Sequence, residues 1–321
     1  MNTETIFKQR IGYKNGIKDI SQAICKKLGL GELVEDKLIL TGYEDFNLIL
    51  HTTKDRYFVK IFANFRDDAN CRRYVDILAK ASEAGVKIPK LFRFNQEYLH
   101  KMEVNGVNLR MAVMEFIEGE TFFSLRTPLI EREIRLVTHQ ASLINSIDMH
   151  PASFYDSWAI VNFPTEFEKK GKYLTPKDLE SIQPLLKEFQ SLNIKRLPHC
   201  FVHGDILTTN VMKGNDQQLW ILDFSVSNYY PRIQELAVLA CNLFFNEKSR
   251  AESENNLRIM LNEYQKTITL TAKELDSLPT YIKLAHAMHL LCANYEKVVN
   301  KNNLQENEYW LEQGRAGLNQ I

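Results

Sequence analysis

The chain has 321 residues, of which 45% are apolar and 11% aromatic, enough for one large domain or two lobes with separate cores. Forty basic residues balance forty acidic ones, which excludes the basic excess expected of a nucleic-acid or anionic-membrane binder. The longest nearly apolar run, 236–245, is about half a bilayer span, and five scattered cysteines, Cys25, Cys71, Cys200, Cys241 and Cys292, fit reduced thiols; a cytoplasmic protein with no membrane or nucleic-acid partner is expected.

In chain order, KLILT (37–41), FNLILHT (46–52) and RYFVKIFA (56–63) alternate Val, Ile, Tyr and Phe with polar residues and predict three successive antiparallel strands. Residues 67–85 carry Tyr74, Ile77, Leu78 and Ala81 at helical spacing, open on acids and close on Gly85, which predicts a helix. KIPKLFRF (87–94) predicts another strand, and 98–119 a strand pair turned at Asn105-Gly106. Past Gly119 the pattern predicts helices at 129–148, 176–193, 232–246, 254–267, 272–300 and 305–317. The exception is NVMKGNDQQLWILDF (210–224), which reads as strand, turn and strand. The change of hydrophobic period near residue 118 predicts an N-terminal lobe, 1–118, and a C-terminal lobe, 119–321.

That hairpin joins two polar stretches, FVHGDILTTNVM (201–212) and LDF (222–224), and would bring Asp205, Asn210 and Asp223 to one end. Phosphoryl transfer needs little more: a carboxylate to orient the acceptor hydroxyl and take its proton late, and hard ligands to hold Mg2+ against the phosphates. The spacing H-G-D-x-x-x-x-N, followed by two apolar residues and D-F, matches the kinase pattern H-R-D-x-x-x-x-N and D-F-G. His203 reads as a brace for this loop rather than a base, and His286, His289 and Cys292 as helix packing rather than a zinc site.

With Gly204 in place of the arginine and Ser225 in place of the last glycine, the chain resembles the aminoglycoside phosphotransferase, choline kinase and homoserine kinase superfamily. The resemblance implies an α+β, protein-kinase-like bilobal fold: a small antiparallel sheet with one main helix binding the nucleotide, and a larger, mainly helical lobe for catalysis and substrate. It implies ATP and Mg2+ as cofactors and a hydroxyl of a small molecule as acceptor. Lys60 in YFVKIF would bind the α- and β-phosphates, and LTGYEDFN (40–47), with Gly42 and Asn47, would cover them. VMEFIEG (113–119), with Glu115 and Ile117, resembles the hinge that meets adenine. Asp205 would be catalytic, and Asn210 and Asp223 metal ligands.

The acid paired with Lys60 is left between Asp68 and Asp76, and Glu235 in QELA is expected to keep a structural hydrogen bond. The similarity leans towards an amino-alcohol acceptor, homoserine kinase-like. An aminoglycoside or choline-type kinase is the alternative, and a nucleotide-binding pseudo-enzyme the alternative of another class.

Overall fold

The computed structural model describes residues 3–40 and 44–320. Its backbone forms two compact units, Met1–Glu83 with Ile88–Glu118, and Ala84–Lys87 with Gly119–Ile321. The fold is α+β, an antiparallel sheet in the first unit and a mainly helical second one.

The first unit runs α1 (Thr3–Arg10), α2 (Ile17–Leu28), β1 (Leu33–Ile39), β2 (Phe46–Thr52), β3 (Arg56–Ile61), α3 (Asp68–Glu83), β4 (His100–Val104) and β5 (Val107–Glu115). The five strands form one antiparallel sheet in the order β1-β2-β3-β5-β4. Period-2 alternation splits its faces. Phe46, Leu48 and Leu50 of β2, with Val59 and Ile61 of β3, are fully buried in a core shared with Phe7 of α1, Ile11 just after it, and Ile20 and Ile24 of α2. The opposite face carries Lys60, whose register partners are Asn47 on β2 and Ala112 on β5. Asn105 (φ 50°) and Gly106 (φ 80°) both take left-handed backbone, which closes the β4–β5 hairpin in two residues.

Two expectations change here. Helices α1 and α2 were not predicted, although Ile17, Ile20, Ile24 and Leu28 repeat at three to four residues and Gly29 (φ 65°) stops α2. Residues 87–94 are not a strand: Pro89 offers no N–H, and the segment meets the sheet through the Leu91–Met114 bridge, the Phe92 N–H on the Val113 carbonyl and the Glu115 N–H on the Lys90 carbonyl rather than a continuous ladder.

The second unit contains β6 (Gly119–Thr121), α4 (Phe122–Leu125), α5 (Glu131–Asn145), α6 (Phe163–Lys170), α7 (Pro176–Ile182), α8 (Leu185–Ser191), β7 (His199–Val202), β8 (Val211–Gly214), β9 (Leu219–Ile221), β10 (Asn228–Pro231), α9 (Ile233–Cys241), α10 (Arg250–Tyr264), α11 (Ala272–Val298) and α12 (Gln305–Gln320). The single helix predicted over 176–193 is two, divided at Gln183-Pro184 because proline interrupts the hydrogen-bond ladder. The β8–β9 hairpin forms as expected, and β6 joins its edge. A pairing not anticipated, β7 with β10, anchors the chain on either side of the two polar loops.

Helix α12 packs on α11 at close range. Gln313 bridges the histidines of α11, its carbonyl accepting from His289 Nδ1 (2.5 Å) and its amide nitrogen meeting His286 Nδ1 (3.2 Å). Burial lowers the pKa of His286 to about 3 and of His289 to about 4, so both rings are neutral packing groups. Cys292 lies apart from them, accepting from Lys170 Nζ at 3.1 Å. A Cβ on Gly317 would stand 2.0 Å from His286 Nδ1. Because Gln313 fixes that ring, Gly317→Ala is expected to cost about 1–3 kcal/mol through overpacking, read as a lower urea midpoint; an unchanged midpoint would contradict this packing.

Candidate active site

The loop after β7 is built around a buried acid. Glu235 on α9 is fully buried, and its Oε2 accepts the His203 N–H at 2.6 Å while Oε1 accepts the Gly204 N–H at 3.2 Å. Asn145 of α5 donates to the Phe201 carbonyl (3.0 Å) and reaches Glu235 (3.5 Å), and the Tyr264 hydroxyl of α10 donates to Asn145 Oδ1 (2.7 Å). Three helices therefore hold the loop through one hydrogen-bonded chain. Gly204 sits at φ 82°, a conformation that glycine takes freely and an arginine would resist, which accounts for the residue found between His203 and Asp205.

His203 is fully buried and uses both ring nitrogens on backbone: Nε2 donates to the Leu222 carbonyl (3.0 Å), and Nδ1 accepts the Asp205 N–H (3.1 Å). Burial lowers its pKa to about 4, so it is a neutral brace tying the loop before Asp205 to the strand end before Asp223. Its ring meets the edge of Phe224, with centroids 4.3 Å apart.

Asp205 is half-buried. Asn210 Nδ2 donates to its Oδ2 (2.7 Å) and to its backbone carbonyl (3.0 Å). The intervening Ile206-Leu207-Thr208-Thr209 makes this reach: the Leu207 carbonyl accepts from the N–H groups of Asn210 and Val211, curling the chain back, while the Thr208 N–H is taken by Asn242 Oδ1 (2.7 Å). Since the amide nitrogen of Asn210 serves Asp205, its Oδ1 is the atom a hard cation would meet. Asp223 has left-handed backbone (φ 58°), and its Oδ1 accepts from the Ser225 hydroxyl (2.5 Å) and N–H (3.2 Å).

The carboxyl of Asp205 is pushed well above the usual carboxylate range, first by burial and then by the charges of Asp156, Asp223 and Glu306. Cations are what such a site attracts. Among the described residues no three His, Cys, Asp or Glu side chains are grouped to hold a metal by themselves. Asp223 and Asn210 fit a cation such as Mg2+, which takes one or two protein ligands and completes its shell with phosphate oxygens and water.

In the first unit, Lys60 is buried, and its ammonium lies 3.2 Å from Asp45 Oδ2 and 5.1 Å from the centre of the Tyr74 ring. The acid beside Lys60 is thus Asp45, at the entry to β2, and not Asp68 or Asp76. Asp68 is exposed and engaged by Lys101 and Arg110, and Asp76 lies on the exposed face of α3. Asn47 sits within β2, beside Lys60, with a buried Oδ1 that no group among the described residues satisfies. Gly42 lies outside the described residues. The Glu115 N–H is taken by the Lys90 carbonyl (2.8 Å), so a base meeting Glu115 would use its carbonyl oxygen; Ile117, just after β5, is half-buried.

Sequence reasoning gave no role to Asp45, Arg66, Asp156 or Ser225. The adjacent acids Glu44-Asp45 before β2 were a signal for the first, whereas Asp156 lies in no recognisable pattern.

Solved structures share this fold. A spectinomycin phosphotransferase crystallised with ADP and spectinomycin matches with a TM-score of 0.64 at 13% identity, over 94% of this chain and 98% of that one. Choline kinase from Streptococcus pneumoniae matches with a TM-score of 0.62 at 16% identity, over 94% and 99%. The homoserine kinase of Agrobacterium fabrum is 25% identical over 259 residues, 78% of this chain and 76% of that one. The class is therefore that of kinases that phosphorylate a hydroxyl of a small molecule. The chain belongs to the phosphotransferase enzyme family, whose model matches residues 37–267.

Burial raises the Glu235 pKa from the ordinary 4.5 to about 7, against the lowering effect of its two backbone N–H donors. The folded chain thus keeps a proton that the unfolded chain releases between these values, so the associated stability is present below pH 4.5 and lost as pH rises through 7, by roughly 3 kcal/mol. Glu235→Gln cannot titrate and is expected to show a flatter dependence of urea-unfolding free energy on pH between 5 and 8; parallel curves for the two proteins would contradict the assignment.

Proposed function

We propose that this kinase transfers the γ-phosphoryl group of ATP, with Mg2+, to the hydroxyl of a small amino alcohol, an activity like that of its homoserine kinase relatives. The observation that carries the acceptor class is the electrostatics around Asp205. Asp156, 8% exposed, and Glu306 at the start of α12 add negative charge beside the carboxyl that would orient the acceptor. An acceptor carrying an ammonium group a few bonds from its hydroxyl would neutralise that charge, whereas a neutral sugar would not.

In this reading the first unit is the nucleotide-binding lobe. Lys60 holds the α- and β-phosphates, LTGYEDFN (40–47), with Gly42, is the motif assigned to covering them, and the Glu115 carbonyl and the backbone of Ile117 meet adenine. The second unit carries catalysis and the acceptor. Asp223 and Asn210 would hold Mg2+, which would supply neutralising charge. Asp205, positioned by Asn210, accepts a hydrogen bond from the acceptor hydroxyl and takes its proton late in the transfer. Nucleotide and divalent ion have support from an amicoumacin kinase crystallised with AMP-PNP and Ca2+. No described helix is long and apolar enough to cross a membrane, and we read the protein as cytoplasmic.

ADP release measured over homoserine, hydroxylysine, choline, a neutral sugar and spectinomycin tests the reading. The amino alcohols are expected to give the highest kcat/KM. Asp205→Asn is expected to lower kcat about 10²- to 10⁴-fold while keeping ADP affinity. Preference for the neutral sugar would overturn the acceptor class, and an unaltered rate in Asp205→Asn would overturn the catalytic assignment.

A further inference from the structure

In protein kinases the strand lysine that grips the phosphates is aimed by an acid on the following helix. Helix α3 presents no such acid to Lys60, which meets the ring of Tyr74 instead. Asp45 takes the place, and it is held on both sides. Its Oδ2 lies 3.2 Å from Lys60 Nζ, while its Oδ1 accepts from Arg66 Nε at 2.9 Å and from the Ala63 N–H at 3.0 Å. Arg10 also donates to the Asp45 backbone carbonyl, at 3.0 Å. The three charged side chains are 3–5% exposed. Building such a group in the interior requires that each charge be matched and each lone pair occupied.

We propose that Asp45, clamped by Arg66, is the positioning acid for Lys60, and that Arg66 is a further residue required for productive nucleotide binding. This rests on the kinase reading above. The division of labour comes from the two carboxylate oxygens. Arg66 and the Ala63 N–H occupy Oδ1 and fix the plane of the carboxylate, so that Oδ2 points one way, at Lys60. Charge gives the second reason for Arg66. Asp45 alone would neutralise Lys60 and weaken its attraction to a polyphosphate, whereas the Lys60–Asp45–Arg66 set carries a net positive charge. Glu44, 41% exposed, also pairs with Arg66, but from the solvent side, where screening weakens its opposition.

The position of Asp45 also bears on how the site is held. It lies three residues after Gly42 and two before Asn47, inside the stretch assigned to phosphate covering. The acid that aims the lysine therefore belongs to the nucleotide-covering segment itself, and not to a helix that could swing away and disarm the site. Lysine positioning is set by β2, β3 and the loop leading into α3.

Steady-state kinetics and ADP affinity distinguish this arrangement from a merely structural role. Asp45→Asn and Arg66→Gln are each expected to raise KM for ATP and weaken ADP binding about 10- to 100-fold, leaving KM for the acceptor unchanged. Asp45→Glu keeps the charge and is expected to recover part of the loss. Asp76→Asn is expected to match wild type. Should the two neutralising variants fail to fold, Asp45→Glu and Arg66→Lys serve, each with a raised KM for ATP and normal KM for the acceptor. ADP affinity in the Asp45 variants equal to wild type would overturn the inference, as would a loss in Asp76→Asn, or a wild-type chain that binds no nucleotide. A wild-type chain that binds ADP but phosphorylates no acceptor would count against the kinase reading alone, because the nucleotide-affinity comparison still decides the role of Asp45.

Discussion

The organisation of the second unit depends on one buried carboxylate. Strand β7 ends at Val202, and the next two N–H groups, of His203 and Gly204, point into the protein. A buried N–H left without a partner costs about 1–3 kcal/mol, and Glu235 takes both. Once the backbone is held there, the residues beyond it have little freedom. The left-handed turn at Gly204 presents Asp205, the ring of His203 locks the Asp205 N–H to the Leu222 carbonyl, and Asp223 is the residue next to Leu222. The two acids are thus linked through backbone and a neutral imidazole, not through long flexible side chains. Asn145 and Tyr264 extend the same hold to α5 and α10.

The first unit meets a different requirement, that of matching a buried cation with an acid. Glu235 is satisfied by neutral donors, and burial moves its proton affinity upward. Asp45 is instead satisfied by two cations and one N–H. The contrast matches what each acid does. A group that only holds backbone tolerates either protonation state in part, since a protonated carboxyl still has a carbonyl oxygen to accept with. Asp45, in the proposed arrangement, turns one oxygen to each cation, which fixes the direction of its pair with Lys60.

Much of this was legible in the sequence, and the gaps have physical causes. Strand β2 was readable to the residue because its alternation is strict and one face is wholly buried. The Asn105-Gly106 turn was readable because few residues accept two successive positive φ angles. Helix α1 was not, since it offers a short, mostly polar run in which Phe7 alone is fully buried among the described side chains. The β7–β10 pair escaped notice because each strand has four residues, too few for a period to register. Asp205, Asn210, Asp223 and Lys60 stand out through spacing. Their supports Arg66 and Asn145 are set by tertiary contacts that no local pattern encodes.

The departures from the kinase pattern also become intelligible as backbone chemistry. Asp223 holds a left-handed conformation, which costs a non-glycine residue about 1–2 kcal/mol. The last glycine of D-F-G could not offset that strain through a side chain, but Ser225 can: its hydroxyl and N–H both reach Asp223 Oδ1. One carboxylate oxygen is thereby fixed. In the neighbouring loop, Ile206 and Leu207 bury their side chains while the Leu207 carbonyl collects two N–H groups, and this turns Asn210 back onto Asp205. The residues between Asp205 and Asn210 are therefore constrained by burial at their first half and by hydrogen bonding at Thr208, so the loop can differ in composition from a kinase loop while keeping the acid and the amide in register.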